Sequence, residues 1–327
     1  MRPAPPDIVD QGAPVLGRYA GSPARLDWRG LRAPHRRGPL WMRLHHKRWR
    51  YLGITSAELF IGVAIVDVGW TGTAFAYLFD RRQRRLLADW SQDGLSSLQV
   101  GVGDAPLNGA HARFRGLRSR LEMQQRDGSL RLQVAVRGLQ LQAEIAAPVS
   151  SPLLAVGPIE GGIAHATLKT SAMAVRGWAE AGDERFTLDG ALAALDASNG
   201  FLARNTSWRW ASAHGSELGF NLQQGYFGGQ ENALWLHGEL IPLGAATFDF
   251  DAAAPLRPWR VHTADGLLDL EFSPEGLRAE DRNLGFAASH YVQPVGRFSG
   301  WVRASAGAPA REVRDLPGVT EDHQSRW

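Results

Sequence analysis

Cysteine is absent from the 327 residues. That excludes disulfides, thiolate metal ligands and thiol nucleophiles, and it fits a reducing compartment. Lysine is nearly absent as well: Lys47 and Lys169 are the only two, and arginine carries almost all the positive charge. No strong charge of one sign exists overall, because 36 basic residues face 33 acidic ones and leave a net charge of +3. The densest short run, Arg81-Arg82-Gln83-Arg84-Arg85, sits beside a turn and reads as a solvated loop, so no nucleic-acid partner is predicted. The N-terminal MRPAPPDIVDQGAPV lacks an apolar core segment, which predicts no secretory signal and a cytoplasmic location. Catalytic signatures are missing too: there is no GxSxG elbow, P-loop, HExxH or dinucleotide fingerprint. Adjacent His45 and His46 would face opposite sides of a strand, so neither a metal site nor a cofactor is predicted.

One long apolar run is present. Phe60–Phe79 is uncharged except for Asp67, and the basic stretch Arg43–Arg50 precedes it. Length and flank suit a membrane span. Gly69, Thr71, Gly72 and Thr73 cluster where a hairpin would turn, and a mid-span aspartate is costly in lipid. Two buried strands joined near Gly69–Gly72 are the better reading, and no transmembrane segment is predicted.

The remaining pattern is that of short strands separated by glycine-containing turns, an all-β signature. Asp127-Gly128 is a two-residue hairpin signal. It pairs Met123 with Leu132, Leu121 with Val134 and Ser119 with Val136 on one face, and Glu122 with Gln133 and Gln124 with Arg131 on the other. Further out the apolar phase flips on both sides, at Gly116 and Gly138. This predicts one long bent hairpin in which Phe114 faces Leu141. A second hairpin at Asp265-Gly266 pairs Trp259 with Phe272, Val261 with Leu270, Arg260 with Glu271 and His262 with Asp269. Residues 186–197 hint at a helix. Ala147–Pro158 reads as a linker. The division that follows is an extended arm over 1–40, β-domains over 41–150 and 151–305, and a capping tail over 306–327. The tail carries Glu321, Asp322 and His323, with Trp327 as an anchor.

Twelve tryptophans are many for this length. Trp208 and Trp210 are two apart and share a strand face, and Trp70 and Trp235 also lie in strand-rich context. Ordinary core packing explains such residues, and so does the wall of a ligand pocket. Beside them stand Asn221, Gln230, Glu231 and Asn232. Asp67, in phase with Leu59, Ile61, Val63 and Ile65, is aimed inward. A carboxyl in apolar surroundings is either paired or protonated, and a protonated one can act as a general acid. Asp67 and Glu231 are the candidate catalytic residues. Trp70, Trp208, Trp210, Trp235, Asn221 and the isolated Lys169 are the candidate ligand contacts.

Six segments together, KRWRYLGI, AIVDVGWTGTAFAYLFD, TSWRWASA, ENALWLHGEL, PWRVHTADGLLDLEF and LPGVTEDHQSRW, resemble domain-of-unknown-function family 2804, a mainly bacterial group, from about Trp41 to Trp327. The family name implies no activity. More distantly the layout is similar to tandem calycin, or lipocalin-like, proteins that include carotenoid hydratases. That likeness implies two antiparallel β-barrels or half-open sandwiches in tandem, with an apolar pocket. The expected function is binding of a hydrophobic small molecule such as a terpenoid or lipid. It extends to acid-catalysed hydration or isomerisation, in which Asp67 or Glu231 protonates an alkene and Trp faces stabilise the cation. The alternatives are a non-catalytic lipid- or partner-binding module and a carbohydrate-active β-protein. The oligomeric state is not legible.

Overall fold

The computed structural model describes residues 1–283, 285 and 287–327. It is 61% strand and 2% helix, an all-β molecule of curled antiparallel sheets. Strands from Arg2 to Phe201 form a 16-stranded sheet, apart from the small ribbon Val9–Asp10 with Ala13–Pro14, and those from Asn205 to Arg326 form a 9-stranded one.

The hub of the first sheet is Leu192–Phe201. One edge pairs along its whole length with His46–Thr55. The other edge pairs first with Met173–Ala181 and then with Ala164–Lys169. From His46–Thr55 the sheet runs on as a meander through Leu59–Asp67, Thr71–Asp80 and Arg85–Leu95. From Met173–Ala181 it returns through Leu139–Ile145, Ser129–Val136, Arg120–Arg126 and His111–Arg115. Alternate residues of both arms, among them Leu52, Ile61, Val63, Ile65, Leu78, Phe114, Leu121, Val134 and Leu141, bury into one shared interior, so the sheet curls around it. The second sheet wraps its own core of Phe220, Leu222, Trp259, Leu270, Phe272 and Phe298.

Leu59–Asp67 and Thr71–Asp80 are buried on both faces. Ile61, Val63 and Ile65 point into the first core, while Phe60, Tyr77 and Phe79 pack against Trp210, Val295 and Val319 of the second sheet. A strand covered on two sides reads as a continuous apolar run, which is why this hairpin resembles a membrane span. No helix among the described residues is long and apolar enough to cross a membrane. Gly62 permits this packing: a Cβ there would lie 2.3 Å from the Tyr77 ring.

The Asp127-Gly128 register holds, with Leu121 opposite Val134 and Met123 opposite Leu132. So does the Asp265-Gly266 register, with Trp259 opposite Phe272 and His262 opposite Asp269. Arg260 nonetheless bridges diagonally to Asp269 at 2.7 Å rather than to Glu271.

Several expectations are corrected. The long bent hairpin is a four-stranded meander: Phe114 faces Leu121, and Leu141 faces Val134. Gly116 and Gly138 sit in turns between strands, and the phase flips because the chain reverses there. The segment read as helical is the end of one strand, Glu184–Thr187, a turn over 188–191, and the first part of the next strand, Leu192–Phe201. Within the supposed linker, Leu153–Pro158 is a strand paired with Ala164–Lys169. Its pairing keeps residues 153–201 in the first sheet, so the chain passes between sheets at 202–204 rather than near 150. The tail is not a cap: Arg311–Arg326 is an interior strand between Asn205–His214 and Ala288–Val302. The N-terminal arm adds Gly17–Ala20 to the sheet and buries Ile8, Leu26, Trp28 and Leu31. It ends in the short helix Pro39–His45.

Candidate functional site

The outer faces of the two sheets meet, and cross-strand rows bring polar groups into the seam. On the first sheet, Phe75, Ala64, Tyr51, Asp196 and Lys169 stand side by side on five consecutive strands. On the second, Glu321, Trp210 and Gln223 form one row, and Tyr291, His323 and Trp208 the next. These side chains, with Trp49, Tyr226, Glu231 and Trp327, line a cavity of about 100 Å³. A smaller one of about 30 Å³ shares Tyr51, Lys169, Asp196 and Trp210 with it and extends to Ser212 and His214.

Glu231 reaches the seam on the turn after Leu218–Gly225. Its carbonyl accepts from Asn221 Nδ2 at 2.9 Å, and Asn232 Oδ1 accepts from the Gln223 N–H at 2.6 Å. Phe227 of the same turn lies over Gly157, where a Cβ would come within 2.7 Å of its ring. The second sheet thereby holds its carboxylate against the first.

Lys169 Nζ lies 2.7 Å from Asp196 Oδ2 and 3.2 Å from Glu231 Oε2. Burial works against the ammonium, but the two carboxyl groups outweigh it and hold Lys169 above the ordinary lysine value. The carboxyls part ways. Burial alone would raise Asp196, yet the Lys169 charge and hydrogen bonds from Trp49 and Ser198, at 3.1 and 2.8 Å, bring it below the usual range. Glu231 has fewer donors. Burial, aided by the neighbouring Asp196 charge, raises it despite Lys169. Two carboxyl groups around one ammonium are thus pushed in opposite directions within the same cavity.

Across the cavity, Glu321 accepts from Trp208 Nε1 and Gln293 Nε2, both at 2.8 Å. Gln293 Oε1 in turn accepts from the Tyr77 hydroxyl. Burial raises the hydroxyl pKa of Tyr51, Tyr77, Tyr226 and Tyr291, so all four stay neutral. The Gln223 side-chain amide is 2% exposed and has a partner at neither its oxygen nor its nitrogen. Among the described residues no group of three or more His, Asp or Glu is placed to hold a metal ion.

Of the residues singled out from sequence, Glu231, Lys169, Trp208 and Trp210 meet in this seam, and Asn221 ties Trp210 Nε1, at 2.8 Å, to the Glu231 carbonyl. Asp67 is buried as expected but lies elsewhere. It accepts from Arg48 at 2.7 Å, the Gly69 N–H at 2.9 Å and Ser96 Oγ at 2.8 Å, and so braces the turn after its strand. Trp235 is core, donating to Ser151 O at 2.9 Å. Trp70 lines a separate opening with Leu44, Lys47 and Trp327. Asp196, Trp49, Tyr51, Gln223, Tyr226 and Tyr291 escape sequence reading. Only the Glu321–His323 tail and Trp327 carried a signal, as polar and aromatic residues grouped at the terminus.

Residues 24–327 match the family described as Domain of unknown function (DUF2804), and the chain belongs to that family. No curated protein sequence matches it. Solved structures share its fold, three of them as follows. A Nitrosomonas europaea protein provisionally assigned as an AttH is 16% identical, with 85% of this chain and 92% of that one covered and a TM-score of 0.58. CghA, solved with Sch210972, is 11% identical, with coverages of 86% and 88% and a TM-score of 0.59. Kievitone hydratase from Nectria haematococca is 10% identical, with coverages of 88% and 90% and a TM-score of 0.54.

Proposed function

We propose that this member of the DUF2804 family binds a hydrophobic small molecule in the seam between its two sheets and converts it by acid catalysis, as a hydratase or isomerase. The observation that carries the reading is Glu231: a buried carboxyl with a raised pKa, in an aromatic-walled cavity, beside an Asp196 held ionised by Lys169. A protonated Glu231 gives its proton to one alkene carbon, the π pair forms the new C–H bond, and the adjacent carbon becomes cationic. The faces of Trp208, Trp210 and Tyr226 lower the energy of that cation through their ring quadrupoles. Water then adds and releases a proton, or the cation loses a neighbouring proton. Either path returns one proton to the Glu231 carboxylate. Asp67 is given no part in this step, because it sits away from the seam and accepts from Arg48 and the Gly69 N–H.

Sharing a fold with a hydratase supports the reading only at the level of architecture. The unpartnered Gln223 amide supports a ligand with a hydroxyl or carbonyl, since a buried amide without partners is costly unless a ligand satisfies it. The same features fit a non-catalytic binder, and one experiment separates the two. Protein from its native host is examined by native mass spectrometry for a co-purifying hydrophobic molecule. The molecule is then incubated with wild type and Glu231→Gln in deuterated water. Deuterium uptake by wild type alone supports catalysis. Retention of the molecule by both proteins without uptake leaves a binding protein.

A further inference from the structure

We infer that the segment Arg36–Leu44, with the loop Leu95–Leu98 beside it, is a docking surface for an anionic phospholipid bilayer. The first observation is charge. Residues 25–50 contain nine Lys or Arg and one acidic residue, in a chain whose totals are 36 and 33. The balance of the whole chain conceals this local excess. Arg36, Arg37 and Arg43 are exposed, and none makes an ion pair among the described residues. They share a groove of about 430 Å³ with Ser96 and Ser97 and with Arg29 and Arg48. The charges of Arg29 and Arg48 are met by Asp27 and Asp104 of the same groove, so the unpaired charge there is that of the three arginines.

The second observation is apolar exposure at the same place. The helix Pro39–His45 has no buried residue. Leu40 and Leu44 are 71% and 45% exposed, and Leu95 and Leu98, flanking the two groove serines, are 57% and 73% exposed. These four are nearly half of the exposed large hydrophobic residues among the described residues. A nucleic acid would use the arginines and leave the leucines idle. A bilayer uses both, arginines at the phosphates and leucines among the acyl chains.

The third observation is position. Leu44 also lines an opening of about 290 Å³ together with Trp327, and Trp327 is a wall of the seam cavity. Docking through this face would set that opening against the membrane, a direct route for an apolar ligand. This last step rests on the function proposed above, whereas the docking itself does not.

The test is co-sedimentation of the full chain with vesicles of phosphatidylcholine containing about 30% phosphatidylglycerol, and with pure phosphatidylcholine, in roughly 0.1 M salt. Wild type is expected to pellet with the anionic vesicles only. Arg36→Gln/Arg37→Gln/Arg43→Gln should weaken partitioning by roughly 100-fold, and Leu40→Ser/Leu98→Ser by about tenfold. All five sites are at the surface, and unchanged tryptophan fluorescence certifies each fold. Equal pelleting with both vesicle types, or with neither, would overturn the inference. So would a leucine variant that binds like wild type, particularly if wild type also retained a single-stranded oligonucleotide. Failure here would leave the Glu231 experiment untouched.

Discussion

Lys169 and Asp196 stand directly opposite each other on adjacent strands, and their charged ends meet at 2.7 Å. Pairing a buried ammonium so closely with one carboxylate leaves Glu231, at 3.2 Å, as the second and weaker partner. The charge state of the cavity depends on this inequality.

Removing the ammonium should be severe. Lys169→Met leaves the Asp196 carboxyl buried without its counter-ion, and a loss of about 3–5 kcal/mol in chemical denaturation is expected. Adding Asp196→Asn should restore much of it, a non-additivity that a mere packing defect would not produce.

The two carboxyl groups should respond differently to amidation. Glu231→Gln replaces a carboxyl whose pKa burial raises, and it should cost less stability at neutral pH than the matching change at Asp196. Asp196→Asn removes a functioning ion-pair partner and should cost roughly 2–4 kcal/mol. The pH dependence has a definite sign. The folded pKa of Glu231 lies above its unfolded value, so its contribution is present below about 4.5 and is lost as pH rises through the folded pKa. Glu231→Gln should therefore gain on wild type as pH rises above 4.5. A gap that instead widens against the variant would contradict this.

Acid should unfold the protein partly through two histidines. Burial holds His165 and His214 at about 3, against 6.5 when exposed. Both are neutral in the folded state while the unfolded chain takes up protons. Stability present above 6.5 is thus lost as pH falls toward 3, by about 1.4 kcal/mol per pH unit for each histidine. His165 is stacked on Trp49, and neither ring nitrogen has a partner. His165→Phe should remove about half of that slope. Thermal melts between pH 6.5 and 4 measure it.

Asp67→Asn should separate burial from function. Loss of the full Arg48, Gly69 and Ser96 network is expected to cost about 1–3 kcal/mol while ligand retention in the seam stays as in wild type. Lost retention at unchanged stability would restore Asp67 as a functional candidate.

Local order was readable where a two-residue turn fixed the register. Asp127-Gly128 specified Leu121 against Val134, because a one-residue slip would have turned an alternating strand inside out. The Phe114–Leu141 pairing failed at the next step. A glycine at a phase change is compatible with a bend or with a chain reversal, and Gly116 and Gly138 mark reversals. The site was half legible. Alternation identified Trp208 and Trp210 as one face, and composition singled out Lys169. Asp196 was hidden because Phe186–Ala197 contains helix-forming residues, and only long-range pairing with Lys169 and Tyr51 makes Leu192–Phe201 a strand. Burial of Asp67 followed from periodicity, but its separation from the tryptophans did not, since period 2 distinguishes faces and not positions along them.

The most direct test is the infrared difference spectrum between wild type and Glu231→Gln at neutral pH. A carbonyl-stretch band of a protonated carboxylic acid, present in wild type and missing from the variant, is the predicted result. A difference confined to ionised-carboxylate bands would mean that Glu231 carries charge in the folded protein, and the acid at the centre of this account would not exist.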